Sequence, residues 1–285
     1  MALAAAARGA RALAGAAGAA ERRVTVVHGA SGGIGLEFAR QLAVRGDCVV
    51  AACRTPERSA ALKALEEAHP GAVTLVRYDA CDEAVAAEAV ARVAELHGGR
   101  VDGLINACGL LHDPATGLSP EKALNQLSAD AMHRVYAANC VAPAMALMQF
   151  APLLQAGGAE RNASHGHAVA ATLSARVGSI GDNKMGGWYS YRASKAALNQ
   201  TVVGAALELG RAARASKGRK RHVACVALHP GTVDTRLSSP FSARVKPEKL
   251  FSPERSVRDL LAVISNLSPA ESGGFLAYDG SAIPW

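Results

Sequence analysis

Tyr191 and Lys195 stand four positions apart in Tyr191-Arg-Ala-Ser-Lys195. On a helix this spacing puts a phenol and an ammonium on one face. A cation beside a phenol favours the phenolate and draws its pKa down from about 10. A phenol tuned in this way can protonate a carbonyl oxygen as hydride arrives at the carbon. A tyrosine four residues before a lysine is also an ordinary surface pair, so the chemistry needs support from elsewhere in the chain.

One support is Gly29-Ala30-Ser31-Gly32-Gly33-Ile34-Gly35, which follows an apolar run and opens a helical stretch. Glycines at 29, 33 and 35 permit φ > 0 and let a pyrophosphate approach the backbone. The N–H groups and dipole of a helix opening at Gly33 attract phosphate. The preceding strand and following helix are the context a dinucleotide-binding turn requires. A second support is the end of the next apolar run, Ala52-Cys53-Arg54, which has no acid to hold ribose hydroxyls. Arg54 can fork onto a 2′-phosphate, which favours NADP(H) over NAD(H). The plainer reading of Arg54 is a solvated loop arginine. Asp79 ends the third run, where an acid could meet an adenine edge or cap the next helix.

The elements that must position these groups alternate. Apolar runs at Val24–His28, Cys48–Cys53, Val73–Tyr78, Val101–Asn106, His167–Leu173, His222–Leu228 and Gly274–Tyr278 read as strands. Most are continuous rather than alternating, as in a parallel sheet buried on both faces. Helical stretches lie between them: Gly33–Val44, Glu57–His69, Asp82–His97, Leu124–Leu154, Tyr191–Leu209 and Ser256–Leu267. The alternation predicts right-handed crossovers and one α/β domain, a doubly wound parallel seven-stranded sheet of Rossmann type with helices on both faces. No linker or repeat divides residues 23–285.

Composition narrows the classes further. The 285 residues are 50% hydrophobic and 19% charged, which excludes a disordered chain. Aromatics are only 4%, so the core is aliphatic. The six cysteines are scattered without a Cys-x-x-Cys, and read as reduced, mostly buried thiols. His165-Gly-His167 lacks further ligands, so no metal site is expected. Asn162-Ala-Ser164 fits a glycosylation sequon but reads as a plain loop. The formal charge of +7 is concentrated in the first 23 residues and in a loop, Arg211–Arg221, leaving the rest slightly acidic. A nucleic-acid face is therefore not expected. Residues 1–22 are set apart from the fold. An arginine-bearing N-terminus without acids before Glu21 matches an organelle transit peptide, for mitochondrion or chloroplast. A low-complexity tail without an address, leaving the chain cytoplasmic, is the alternative. Val135–Ala159 carries no charge but holds Asn139, Pro143, Gln149, Pro152 and Gln155, so a buried helix is expected there rather than a membrane span.

Taken in order, Gly29-x-x-x-Gly33-x-Gly35, Asn106-Ala-Cys-Gly109, Asn139, Tyr191-x-x-x-Lys195 and Pro230-Gly231 resemble the short-chain dehydrogenase/reductase family over residues 23–285. Gly178-Ser-Ile-Gly-Asp-Asn183, Gly187–Asn199, His229–Thr235 and the closing Ile283-Pro-Trp285 resemble its C-factor-like, sniffer-type carbonyl reductase branch. The resemblance implies NADPH-dependent reduction of a small ketone or aldehyde. Tyr191 would be the acid, Lys195 would hold the nicotinamide ribose and tune it, and Asn139 would anchor a proton-relay water. Gly29, Ser31, Gly33, Ile34, Gly35, Asn106 and Gly109 would line the cofactor, with Asp79 at adenine. Pro230, Gly231, Thr232 and Val233 would pass over the nicotinamide. Pairing of the helices that carry Asn139 and Tyr191 into a homodimer or homotetramer is also implied.

Three motifs depart from the family pattern. Its substrate-orienting serine falls three residues before Gly178, on Ala175; Ser174 is the nearest candidate to replace it and Ser179 the other. The threonine expected before Gly29 is His28, and the second asparagine of its Asn-Asn-Ala-Gly is absent. The first departure keeps open an alternative, a catalytically weak nucleotide-binding signalling or scaffold protein of the C-factor type.

Overall fold

The computed structural model describes residues 22–156 and 166–285. The leader up to Glu21, the sequon at Asn162 and His165 lie outside the described residues. The first strand, β1 (Val24–His28), is followed by α1 (Gly33–Arg45), β2 (Cys48–Cys53), α2 (Ala60–Ala68), β3 (Val73–Arg77), α3 (Glu83–Leu96) and β4 (Gly103–Asn106). Next come α4 (Ala129–Tyr136), a π turn (Ala137–Val141), α5 (Ala142–Gln155), β5 (Ala168–Leu173), α6 (Tyr189–Ala215) and β6 (Val223–His229). Two short strands, β7 (Thr232–Val233) and β8 (Leu250–Phe251), precede α7 (Pro253–Asn266) and β9 (Phe275–Ala277).

Seven strands form one parallel sheet in the order β3-β2-β1-β4-β5-β6-β9. The strands are buried on both faces, which is why their sequences run apolar without alternation. Successive side chains enter opposite layers. Val26, Val50 and Leu104 pack with Val93 of α3, Phe150 of α5 and Val202 of α6. Val27, Val49 and Ile105 pack with Phe38 of α1, Leu62 of α2 and Leu260 of α7. The strand order reverses at β1, between β2 and β4. Such a switch point opens a crevice at the carboxyl ends of the strands, where ligands of doubly wound sheets bind.

The elements expected from sequence are present, with instructive differences. Asp82 caps α3 by accepting from Val85 N–H at 3.1 Å, so Asp79 is not the cap; its carboxylate accepts from Cys81 N–H in a local turn instead. The stretch expected as one helix over Leu124–Leu154 starts at Ala129, where Ser128 caps it, and swells into the π turn around Asn139. The Ala129–Gln155 segment is long and apolar enough to cross a membrane. Ala146, Leu147, Phe150 and Leu154 are nonetheless buried in the domain core, while Val141 and Met148 are exposed.

The basic run is not simply a loop. Its first part belongs to α6, and Arg221 is 2% exposed, pairing with buried Asp102 at 2.9 Å. Asp102 also accepts from Arg100 and from Val24 N–H, tying the amino ends of β1 and β4 to the start of β6. The cysteines are free thiols; Cys48, Cys53 and Cys225 are buried as expected, whereas Cys81 is exposed.

Candidate active site

The glycine turn connects β1 to α1 at the switch point. Gly29 has φ 88°, and a Cβ there would lie 2.9 Å from Cys108 Sγ. Gly35 is needed for a different reason than the one read from sequence. It is helical, and its Cβ would lie 2.2 Å from Gly29 O, so its absent side chain lets α1 close against the turn. In contrast, a Cβ on Gly33 would approach nothing nearer than Thr235 Cγ2 at 3.6 Å, and one on Gly32 nothing nearer than Arg236 Nη2 at 3.9 Å. The N-terminus of α1 is thus in ordinary van der Waals contact with Thr235, with a guanidinium beside it. This cradle fits a dinucleotide phosphate: N–H groups and a cation meet where an anion would sit. Ser31 and Ile34 complete the turn. Arg54 is exposed at the end of β2, and its charge reaches His28, Cys53, Cys81 and Cys108 across the crevice.

Beside this turn, His28 replaces the family's threonine without opening the fold. Its Nδ1 pairs with Asn106 Oδ1 at 3.0 Å, joining the ends of β1 and β4. Burial holds the His28 imidazole below its ordinary pKa, so it is a neutral partner. Asn106 Nδ2 donates to Pro143 O and Thr172 Oγ1, which fixes the strand end below Gly109. The Asn139 amide is engaged by protein at both ends: Oδ1 accepts from Leu110 N–H at 2.6 Å, and Nδ2 donates to Leu110 O and Ser194 Oγ. Asn139 thus clamps the loop after β4 to α6. The π turn that carries it is a distortion often found at functional sites.

Tyr191 and Lys195 occupy the first turns of α6, 8% and 2% exposed. Lys195 Nζ donates to Leu173 O at 2.8 Å and lies 5.9 Å from the centre of the Tyr191 ring. Burial draws the Lys195 ammonium down to about 8. The Tyr191 phenol is pushed up from its usual value by burial, and the lowering expected from a neighbouring cation is not seen. Desolvation of the phenolate outweighs an ammonium that is itself desolvated and engaged with Leu173 O.

Ser174, at the end of β5, is 3% exposed and donates its hydroxyl to Asn199 Oδ1 at 2.6 Å. It therefore secures β5 to α6, with its proton engaged one turn beyond Lys195. The Ser179 hydroxyl is 1% exposed and accepts from Asp182 N–H. Ala175, in the family's serine register, is half-buried.

Residues to which the sequence reading gave no role shape the site. Thr235 and Arg236 lie over the glycine turn, and His112 bonds Arg236 O at 2.6 Å. Glu121 is 5% exposed and serves as the cap of α6 from a distant loop. Its carboxylate accepts from Ser190 N–H and Ser190 Oγ, and its carbonyl accepts from Trp188 N–H. Trp188 is in the left-handed region at φ 51°, which for a bulky residue costs about 1–3 kcal/mol. The only sequence signal for this cap was negative: Gly187-Trp188-Tyr189 offers no capping side chain ahead of the helix.

Pro230 to Val233 form the turn and short strand after β6; Ser256 Oγ donates to Pro230 O at 2.8 Å. Gly231 has φ 81°, and a Cβ there would strike the Phe251 ring at 2.7 Å. Among the described residues no group of three or more His, Cys, Asp or Glu side chains is placed to hold a metal.

A model of the short chain dehydrogenase family matches residues 23–246. The 1-hydroxy-2-glutathionyl-2-methyl-3-butene dehydrogenase of Rhodococcus is 30% identical over 260 residues, covering 91% of this chain and 98% of the relative. The C-signal of Myxococcus xanthus is 34% identical over 187 residues, 66% of this chain and 94% of its own. Among solved structures, the NADPH-bound carbonyl reductase from chicken fatty liver superposes with a TM-score of 0.78 at 31% identity, over 93% of this chain and 100% of that one. The carbonyl reductase Sniffer of D. melanogaster shares the fold, with a TM-score of 0.76 at 24% identity, over 93% and 99%. With the glycine turn, the Tyr191–Lys195 pair and the parallel sheet in their places, the chain belongs to the short-chain dehydrogenase family of oxidoreductases.

Proposed function

We propose that the protein reduces ketone or aldehyde carbonyls with NADPH. The observation that carries this reading is the buried Tyr191–Lys195 pair at the carboxyl edge of the sheet, on the same edge as a glycine turn with Arg236 beside it. Bound NADPH supplies the hydride. Tyr191 Oη gives its proton to the carbonyl oxygen, and its raised pKa keeps that proton in place until an oxyanion develops. Lys195 Nζ is charged below about pH 8 and offsets the phenolate left behind. Asn139 holds the loop after β4 so that Asn106 and Gly109 line the cofactor side. Arg54 favours the 2′-phosphate of NADP(H) over NAD(H), and Asp79 stands at the adenine end.

Tyr191→Phe tests the reading. Turnover is expected to vanish while NADPH binding, followed by thermal shift, stays within about twofold. Unchanged turnover would refute it. A second reading, a nucleotide-binding protein with weak catalysis, is favoured by one observation: the Ser174 hydroxyl is engaged with Asn199 and Ala175 carries none. Robust Tyr191-dependent NADPH oxidation across a panel of carbonyls would decide against it. For oligomerisation, exposed Val141, Met148 and Leu207 on the helices bearing Asn139 and Tyr191 support pairing with a second copy; light scattering at monomer mass would count against this.

A further inference from the structure

We propose that Glu121 and Trp188 determine which carbonyls Tyr191 can serve. Glu121 fixes Trp188 beside the phenol, and the wall formed by Trp188 and Phe241 admits flat, uncharged aldehydes and ketones over carbonyls that carry a carboxylate. The inference rests on the reductase reading and names the substrate class for that same site.

The wall begins with an improbable backbone. Trp188 is left-handed at φ 51°, ψ 40°, so its indole direction is imposed by its neighbours. Both flanks are anchored. Trp188 N–H donates to Glu121 O at 2.5 Å, and Ser190 donates its N–H and hydroxyl to the Glu121 carboxylate. On the other side Arg192 Nε donates to Gly187 O at 3.0 Å, and its Nη1 to Val177 O at 3.2 Å. The indole so fixed meets the Tyr191 ring edge-on, with centroids 6.2 Å apart at 87°. It meets Phe241 at 5.1 Å and 52°. Trp188 and Phe241 are both half-buried, so part of each ring remains open beside the phenol.

Four charged or titratable side chains near this wall are engaged with the main chain or with one another. The Glu121 carboxylate caps α6, the Arg192 guanidinium holds two carbonyls, His112 is bonded to Arg236 O, and Arg176 pairs with Asp182 at 3.2 Å. A substrate carboxylate seated against these four groups would have to displace one of their bonds, whereas a planar apolar group stacks on the two rings as they stand. The Ala175 methyl, where the family has a hydroxyl, leaves this end of the strand apolar too.

The chain has two tryptophans, Trp188 and Trp285, so Trp285→Phe leaves Trp188 as the only indole. In that background, NADP⁺-loaded protein titrated with acetophenone should show saturable quenching, and with pyruvate none. Adding Glu121→Ala should abolish the quenching, and Glu121→Gln, which still accepts from Ser190, should restore it. In steady state, benzaldehyde should exceed pyruvate in kcat/KM, and Trp188→Ala should cut that ratio by about tenfold or more with NADPH affinity unchanged. Equal kcat/KM for the two carbonyls, a ratio unmoved by Trp188→Ala, or quenching that ignores Glu121 would overturn the proposal. Quenching as expected without turnover of any carbonyl would instead sink the reductase reading and leave the wall standing.

Discussion

Gly178→Ala puts the positioning of Lys195 to a direct test. A Cβ at residue 178 would lie 2.7 Å from Lys195 Cβ, 3.1 Å from Lys195 C and 3.4 Å from Ala196 N. None of these atoms is the free end of a flexible side chain, so the helix or the strand end must yield. Carbon atoms pack comfortably at about 3.5–4.0 Å, which asks for a displacement of roughly 1 Å at the base of Lys195. Overpacking of this kind costs about 1–3 kcal/mol of stability, which a domain of this size tolerates. The catalytic cost is larger in proportion, because a misplacement of about 1 Å near the chemistry can cost about a hundredfold in rate. The variant should therefore fold, bind NADPH nearly as well, and lose about two orders of magnitude in kcat in an NADPH-oxidation assay. Urea unfolding run alongside separates a shifted lysine from a collapsed fold. A folded variant with undiminished kcat would show that the Lys195 position does not govern the rate.

Other outcomes follow from the same geometry. Lys195, drawn down to about 8, is charged at neutral pH and loses its proton above that value. The rate of carbonyl reduction should accordingly fall above about pH 8, and Lys195→Arg should move that limb upward; a rate flat to pH 10 would contradict it. Arg54→Glu should reverse the preference for NADPH over NADH in a thermal-shift comparison, since a carboxylate repels a 2′-phosphate; an unchanged preference would remove Arg54 from the site. His229 is half-buried, with its Nδ1 atom buried and unpartnered, and desolvation holds its pKa at about 4 against 6.5 unfolded. The unfolded chain thus takes up the proton first, so this contribution is complete above pH 6.5 and lost as pH falls towards 4, up to about 3 kcal/mol. His229→Gln should flatten that part of the acid-unfolding curve. Removing the buried guanidinium with Arg221→Ala should cost about 3–5 kcal/mol in urea unfolding, and a loss under 1 kcal/mol would count against a structural pair.

The fold was legible because both faces of each strand are covered, and this leaves a continuous apolar run such as Val26–Val27 or Val49–Val50 in the sequence. Glycine and proline marked the ends. The glycine turn and the Tyr191–Lys195 spacing stood out in the sequence for a related reason: each is a local pattern of neighbours in the chain. What escaped was non-local. Nothing near Trp188 announces that Glu121, 69 residues before Ser190, caps α6. Arg221 looked like one more surface cation because its partner Asp102 lies 119 positions away. Ser174 was a candidate by register, but its hydroxyl direction depends on Asn199, which only the packing of β5 against α6 reveals. The phenol pKa was misjudged because spacing gives proximity to a cation but not the depth of burial, and burial proved the stronger influence.

The Asp102–Arg221 pair has a consequence for assembly. Each charge is costly to shelter from water without the other, and they reach one another only when β5 has settled between β4 and β6. A half-built sheet with β6 absent or slipped by a residue would leave Asp102 held by Arg100 and Val24 N–H but without its buried guanidinium. The pair thus penalises partial and misregistered structures and should sharpen refolding towards an all-or-none event, with Arg221 substitutions broadening the transition as well as lowering its midpoint.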